Sequence, residues 1–146
     1  EQVPVIWVRH SDQHLVYQSA SWALSDDLIP LENESIIEKH YSSTYEETEL
    51  NEILKNQGVT EIVLTGAQTN ACIRATAFAT LERGYHLTVV QDAHTTDDFD
   101  FRNGRILEAQ DIILELSIAF MFLTYPGRKN RTVKTKDIQF NTEIEA

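Results

Sequence analysis

Residues 60–65 read as an apolar strand of the fully buried type, centred on Ile62, Val63 and Leu64, and after Gly66 the chain passes quickly into an Ala-rich helical pattern over residues 72–83. A strand without polar alternation is buried on both faces, and a parallel sheet covered by helices is the arrangement that buries it. The rest of the chain repeats this theme. Residues 3–9 are rich in β-branched and aromatic side chains and read as a strand with Pro4 near its start. Residues 10–30 are mixed and polar, a long surface loop with Trp22 and Leu24 as isolated anchors. Ser35–Lys39 is a short strand ending at Lys39.

Ser43 and Glu46 fit a capping box, with Leu50, Ile53 and Leu54 following at helical spacing and Gly58 as the cap. Residues 87–90 read as a strand running into Asp92 and Ala93, residues 103–116 as a helix, and residues 118–124 as a last strand. Pro126 and Gly127 then break the chain, with an edge strand expected near residues 138–140. Strands alternating with helices imply an α/β fold of three layers, a mainly parallel sheet with helices on both faces. A length of 146 residues suits a single domain with one core.

Charge narrows the partners. The formal net charge is -11, which repels nucleic acid over most of the surface. Five of the 12 basic residues (Arg128, Lys129, Arg131, Lys134 and Lys136) lie together with no acid among them, so such a tail could dock on its own acidic body, meet a neighbouring subunit or stay solvated. No apolar run approaches the ~20 residues that span a bilayer; the longest, near residues 118–123, is strand-sized. With no basic and apolar leader at its start, the chain is expected to be cytoplasmic. The expected partners are a small-molecule substrate and further copies of the chain, with no nucleic acid, membrane or cofactor.

The one cysteine excludes an intrachain disulfide. A lone cysteine is more often a small buried hydrophobe than a nucleophile, but Cys72 stands where a buried strand gives way to a helix. Ligands of open α/β sheets bind at such strand ends. Unpaired amides at a helix start favour a thiolate and could hold an oxyanion formed when it attacks a carbonyl. Lys39, at the end of another strand, points to the same rim and could assist by charge.

Gly66-Ala67-Gln68-Thr69-Asn70-Ala71-Cys72, followed by Ile73-Arg74-Ala75-Thr76-Ala77, resembles the nucleophile segment of the isochorismatase-like cysteine hydrolases. Gly84-Tyr85 and Asp92-Ala93 stand where that family has its Gly-Tyr and Asp-Ala pairs. Lys39-His40, Ser43-Thr44-Tyr45 and Thr48-Glu49-Leu50 resemble its catalytic-lysine segment, with Tyr45 for the usual Phe and Thr44 for the usual Ala. Residues 5–10 match its second strand, and the similarity spans most of residues 3–125. The resemblance implies a Rossmann-like fold and a Cys–Lys–Asp triad that hydrolyses a small amide or ureido compound through an acyl-enzyme. Cys72 would be the nucleophile, Lys39 its partner, and the amides of Gln68 and Cys72 the oxyanion hole behind a cis Ala67–Gln68 peptide. Non-peptide C–N bonds are favoured over vinyl ethers, since isochorismatases proper do not depend on a cysteine.

The family's catalytic Asp ends a first strand that has no counterpart here, and Asp12, Asp26, Asp27 and Asp92 do not match it. The expectation is therefore a single hydrolase domain over 1–146, incomplete at its N-terminus, with a C-terminal tail over 126–146. His10, Tyr41 and Tyr45 are candidate pocket residues; among Trp22, Tyr41 and Tyr45 at least one is expected to be ordinary core. His10, Asp12 and His14 superficially suggest metal ligands, but the family's metal context is not matched and no metal is expected. Two rival readings stand beside the hydrolase: a catalytically incomplete homologue serving as a binding or assembly subunit, and a redox-sensing thiol.

Overall fold

The structure is a computed structural model that describes residues 3–140. Strand β1 (Ile6–His10) pairs in parallel with β2 (Ser35–Lys39), placing His10 directly opposite Lys39. After helix α1 (Leu50–Asn56), strand β3 (Glu61–Ala67) enters a second parallel sheet of order β3-β4-β7, with β4 at His86–Thr95 and β7 at Asn130–Val133. Between β3 and β4 lie a π-helical turn, Thr69–Ile73, and helix α2 (Arg74–Glu82). A small hairpin, β5 (Phe99–Asp100) with β6 (Ile106–Leu107), precedes helix α3 (Ala109–Phe122). The mainly parallel α/β architecture is the expected one.

Alternation along the strands explains the core. Ile62 and Leu64 on β3 share a face with their neighbours Leu87 and Val89 on β4. Leu87 and Val89 pack with Ile73, Ala77, Leu81, Leu116 and Phe120, joining the turn that carries Cys72 and both long helices to the sheet. A second cluster, built on Ile37, Tyr45, Leu50, Leu54, Ala79 and Tyr85, takes in Ile62 and seats α1. The opposite face carries a polar ladder, where Arg131 Nε donates to Thr88 Oγ1 at 2.8 Å and Arg131 Nη2 reaches Glu61 Oε1 at 3.2 Å. Among the described residues no helix is long and apolar enough to cross a membrane.

Four expectations are corrected. The run near residues 118–124 is not a strand: α3 continues to Phe122, because Ile112, Leu116 and Phe120 recur every four residues and all three are buried. Its start is correspondingly later than residue 103, since residues 99–107 fold into the hairpin. Ser43 does not cap a helix; its hydroxyl accepts the Tyr45 amide at 3.2 Å, and α1 begins only at Leu50. The last strand is Asn130–Val133 rather than residues 138–140, so the basic segment docks partly on its own body through Arg131 and Glu61.

Candidate active site

Gly66 has φ +120, a region open to glycine and strained for side chains, and it lies just before the turn that carries the cysteine. The Ala67–Gln68 peptide is cis, as the resemblance implied. The turn then winds as a π-helix, a form that recurs at functional sites. Cys72 sits in it half-buried.

Lys39 is 3% exposed, and its Nζ is fully used. It donates to Cys72 Sγ at 3.1 Å, to the Tyr41 carbonyl at 2.8 Å, and lies 3.1 Å from His10 Nδ1. Three acceptors match the three protons of an ammonium, which is what makes its burial tolerable. Facing an ammonium, His10 Nδ1 must accept, so the imidazole proton belongs on Nε2. That nitrogen lies 3.3 Å from Asp12 Oδ2. The Leu15 and His14 amides, with His10 beside them, hold the Asp12 carboxyl below the usual range. A contact chain thus runs Cys72–Lys39–His10–Asp12. Among the described residues no carboxylate pairs directly with Lys39 or touches the thiol.

The sequence candidates divide accordingly. Cys72, Lys39 and His10 come together, with Tyr41 contributing its carbonyl while the residue itself is 48% exposed. Tyr45 is a core residue: its hydroxyl bonds Thr80 Oγ1 at 3.1 Å, Arg83 covers its ring, and burial pushes its pKa up to about 12. Trp22 bonds Glu38, which points to the face of β2 opposite Lys39. Asp12 serves as a turn acceptor and His10 partner, and no group of three or more side chains suited to a metal converges among the described residues. Asp92 accepts the Thr135 amide at 2.7 Å and so anchors the chain after β7.

Two features escaped sequence reasoning. Thr76 and Thr80 follow Cys72 at intervals of four, and they tether the segment after Lys39 to α2. The Thr44 amide donates to Thr76 Oγ1 at 3.0 Å, and Tyr45 reaches Thr80. Threonines at that spacing in an otherwise apolar helix were the available signal. The second is His94, 4% exposed, whose Nδ1 lies 2.9 Å from Thr69 Oγ1. Its place near the end of β4, beside the strand that leads to Cys72, could have marked it.

Burial alone lowers the His94 pKa from the usual 6.5, with no charged neighbour contributing. The unfolded chain therefore takes up this proton first as pH falls. Its contribution to stability is intact above about 6.5 and is lost progressively below it. We expect urea midpoints to decline below that pH, and His94→Asn to remove part of the decline. An equal acid decline in both proteins would contradict this.

The profile of the isochorismatase domain matches residues 1–116. An isochorismatase family protein of Bacillus subtilis is 31% identical over 114 residues, covering 75% of this chain and 63% of its own length. The maleamate amidohydrolase of Pseudomonas putida is 29% identical over 123 residues, covering 76% of this chain and 58% of its own. The chain thus spans less than two thirds of either relative. The crystal structure of an isochorismatase from Pseudomonas putida KT2440 superposes with a TM-score of 0.81 at 25% identity, covering 93% of this chain and 69% of that one. With the domain matched over most of its residues, the chain belongs to the isochorismatase family.

Proposed function

We propose that this protein is a cysteine hydrolase of small, non-peptide amide or ureido compounds. The observation behind this reading is the 3.1 Å contact between a buried Lys39 ammonium and Cys72 Sγ, at a strand-to-helix turn. The likeness to an amidohydrolase supports the choice of a C–N bond. The thiolate attacks the carbonyl carbon, a C–S bond forms, and the oxygen takes the π pair toward the amides of Gln68 and Cys72. When the C–N bond breaks, the leaving nitrogen takes a proton from Lys39 and departs as an amine. Lys39, now neutral, takes a proton from the water that attacks the thioester, and the thiolate leaves as the acid forms. The Lys39–Cys72 ion pair is restored, and every proton is accounted for. His10 holds Lys39 in place, and Asp12 holds His10.

The test is intact-mass spectrometry during turnover of a panel of amides and ureides, maleamate among them. An acyl adduct on the wild type, absent from Cys72→Ala, is the expected result. Hydrolysis without dependence on Cys72 would overturn the reading. A second reading, a binding or assembly subunit, is favoured by the lack of a carboxylate on the thiol or on Lys39 among the described residues. It predicts retention of small amides without turnover, together with stable association between copies or with a partner. The cytoplasmic location and homo-oligomeric state remain part of this proposal.

A further inference from the structure

The turn that presents Cys72 is tied at three consecutive residues to the exit of β4. Gln68 Nε2 donates to Asp97 Oδ2 at 2.9 Å, Thr69 Oγ1 lies 2.9 Å from His94 Nδ1, and Thr96 Oγ1 donates to Asn70 Oδ1 at 2.9 Å. The strand register brings these segments together, with His94 opposite Gly66 and Thr95 opposite Ala67. The three ties differ in environment. The outer two are exposed, where water competes for the same donors and acceptors. The middle one is buried, with Thr69 at 0% and His94 at 4% exposure. A hydrogen bond is stronger there, and losing it leaves a polar atom without water.

We infer that His94, acting through Thr69, is the positioning residue that fixes the turn 68–72 and so sets the direction of Cys72 Sγ and of the amides beside it. Thr69 is the first residue of the π-helical turn, and its carbonyl accepts the Arg74 amide that closes it. Its backbone is therefore part of the turn, while its hydroxyl is held by another strand. The imidazole has no substitute anchor, because His94 Nε2 is buried and has no hydrogen-bond partner among the described residues. Thr69 and His94 thus depend on each other, and neither can turn away without leaving its partner unsatisfied. A plain core histidine would stabilise the fold without affecting the thiol.

The kinetic part of this inference rests on Cys72 as the nucleophile, so the test includes an arm that does not. His94→Leu fills the space without the hydrogen bond, His94→Asn keeps a polar atom near the position of Nδ1, and Thr69→Val removes the hydroxyl at constant shape. For each variant, the double variant and Thr69→Ser, we would measure three quantities: the iodoacetamide alkylation rate of Cys72, kcat and KM on an amide that the wild type hydrolyses, and the urea midpoint. His94→Leu and Thr69→Val should each lower kcat by about 10- to 100-fold with little change in KM, as expected for a misplaced nucleophile. The double variant should be no worse than either single one, since the two act as a unit. His94→Asn and Thr69→Ser should recover most of the rate, and alkylation should follow kcat.

Folded His94→Leu and Thr69→Val proteins with unchanged kcat, beside an inactive Cys72→Ala, would overturn the inference while leaving the hydrolase reading intact. If the wild type turns over no amide, the alkylation arm decides alone: equal rates in all variants overturn the inference, and a parallel fall rescued by His94→Asn supports it. Should His94→Leu fail to fold, Thr69→Val against Thr69→Ser makes the same comparison.

Discussion

Replacing Cys72 by alanine should remove amide hydrolysis to below detection, on the order of 10⁴-fold or more, and Lys39→Met should lower kcat by about 10²- to 10⁴-fold. The two differ in kind. In the proposed mechanism, Cys72→Ala removes the bond-forming atom. Lys39→Met keeps the thiol but removes the ammonium 3.1 Å from it and the proton that the leaving nitrogen needs. Methionine fits the buried path of the lysine, so the fold should survive, although the Tyr41 carbonyl and His10 Nδ1 lose their donor. Combining the two changes should cost no more than Cys72→Ala alone, because without the thiolate the ammonium has no reaction to assist. Circular dichroism on each protein separates lost chemistry from lost structure. A Lys39→Met protein that is folded and fully active would remove Lys39 from the mechanism.

Phe120→Ala should destabilise the protein by about 3–5 kcal/mol, while Phe122→Ala should stay within about 0.5 kcal/mol of the wild type. Phe120 is 1% exposed and packs against Phe78 in the cluster that also holds Ile73, the neighbour of Cys72. Phe122 is 79% exposed. The contrast tests the helix directly. In a strand, residues 120 and 122 would share one face and respond alike. In a helix they lie about 200° apart. Urea denaturation of the two variants reads the difference, and similar losses would contradict a helix through Phe122. Because Phe120 supports Ile73, its removal should also reduce the alkylation rate of Cys72.

The local signals in the chain were sufficient for much of the frame and for the meeting of Cys72 with Lys39. Apolar centres at residues 62–64 and 87–90 located β3 and β4, but the expectation that β3 is buried on both faces fails: Leu87–Val90 of β4 are buried, while no residue of β3 is. The passage from β3 through Gly66 into an Ala-rich helix located Cys72, and Lys39 followed from the end of β2. The same local reasoning failed at residues 118–124. Isoleucine, phenylalanine and methionine suit either state there, and the choice depends on which spacing meets a core. Leu116 and Phe120, four apart, both find that core on the sheet, so the helix continues.

The sequence by itself thus determined the alternation of strands and helices as far as β4, and that Cys72 and Lys39 end at the same rim. Only the tertiary structure decided what surrounds them. Tyr45, read as a pocket wall, turned inward because Thr80 offers its hydroxyl a buried partner. His10 became the neighbour of Lys39 through the parallel register of β1 and β2, which no local pattern encodes. His94 and Thr69, 25 residues apart, meet because β3 and β4 lie side by side with Gly66 opposite His94. Such contacts depend on strand order and register, and those are set by the packing of the whole core.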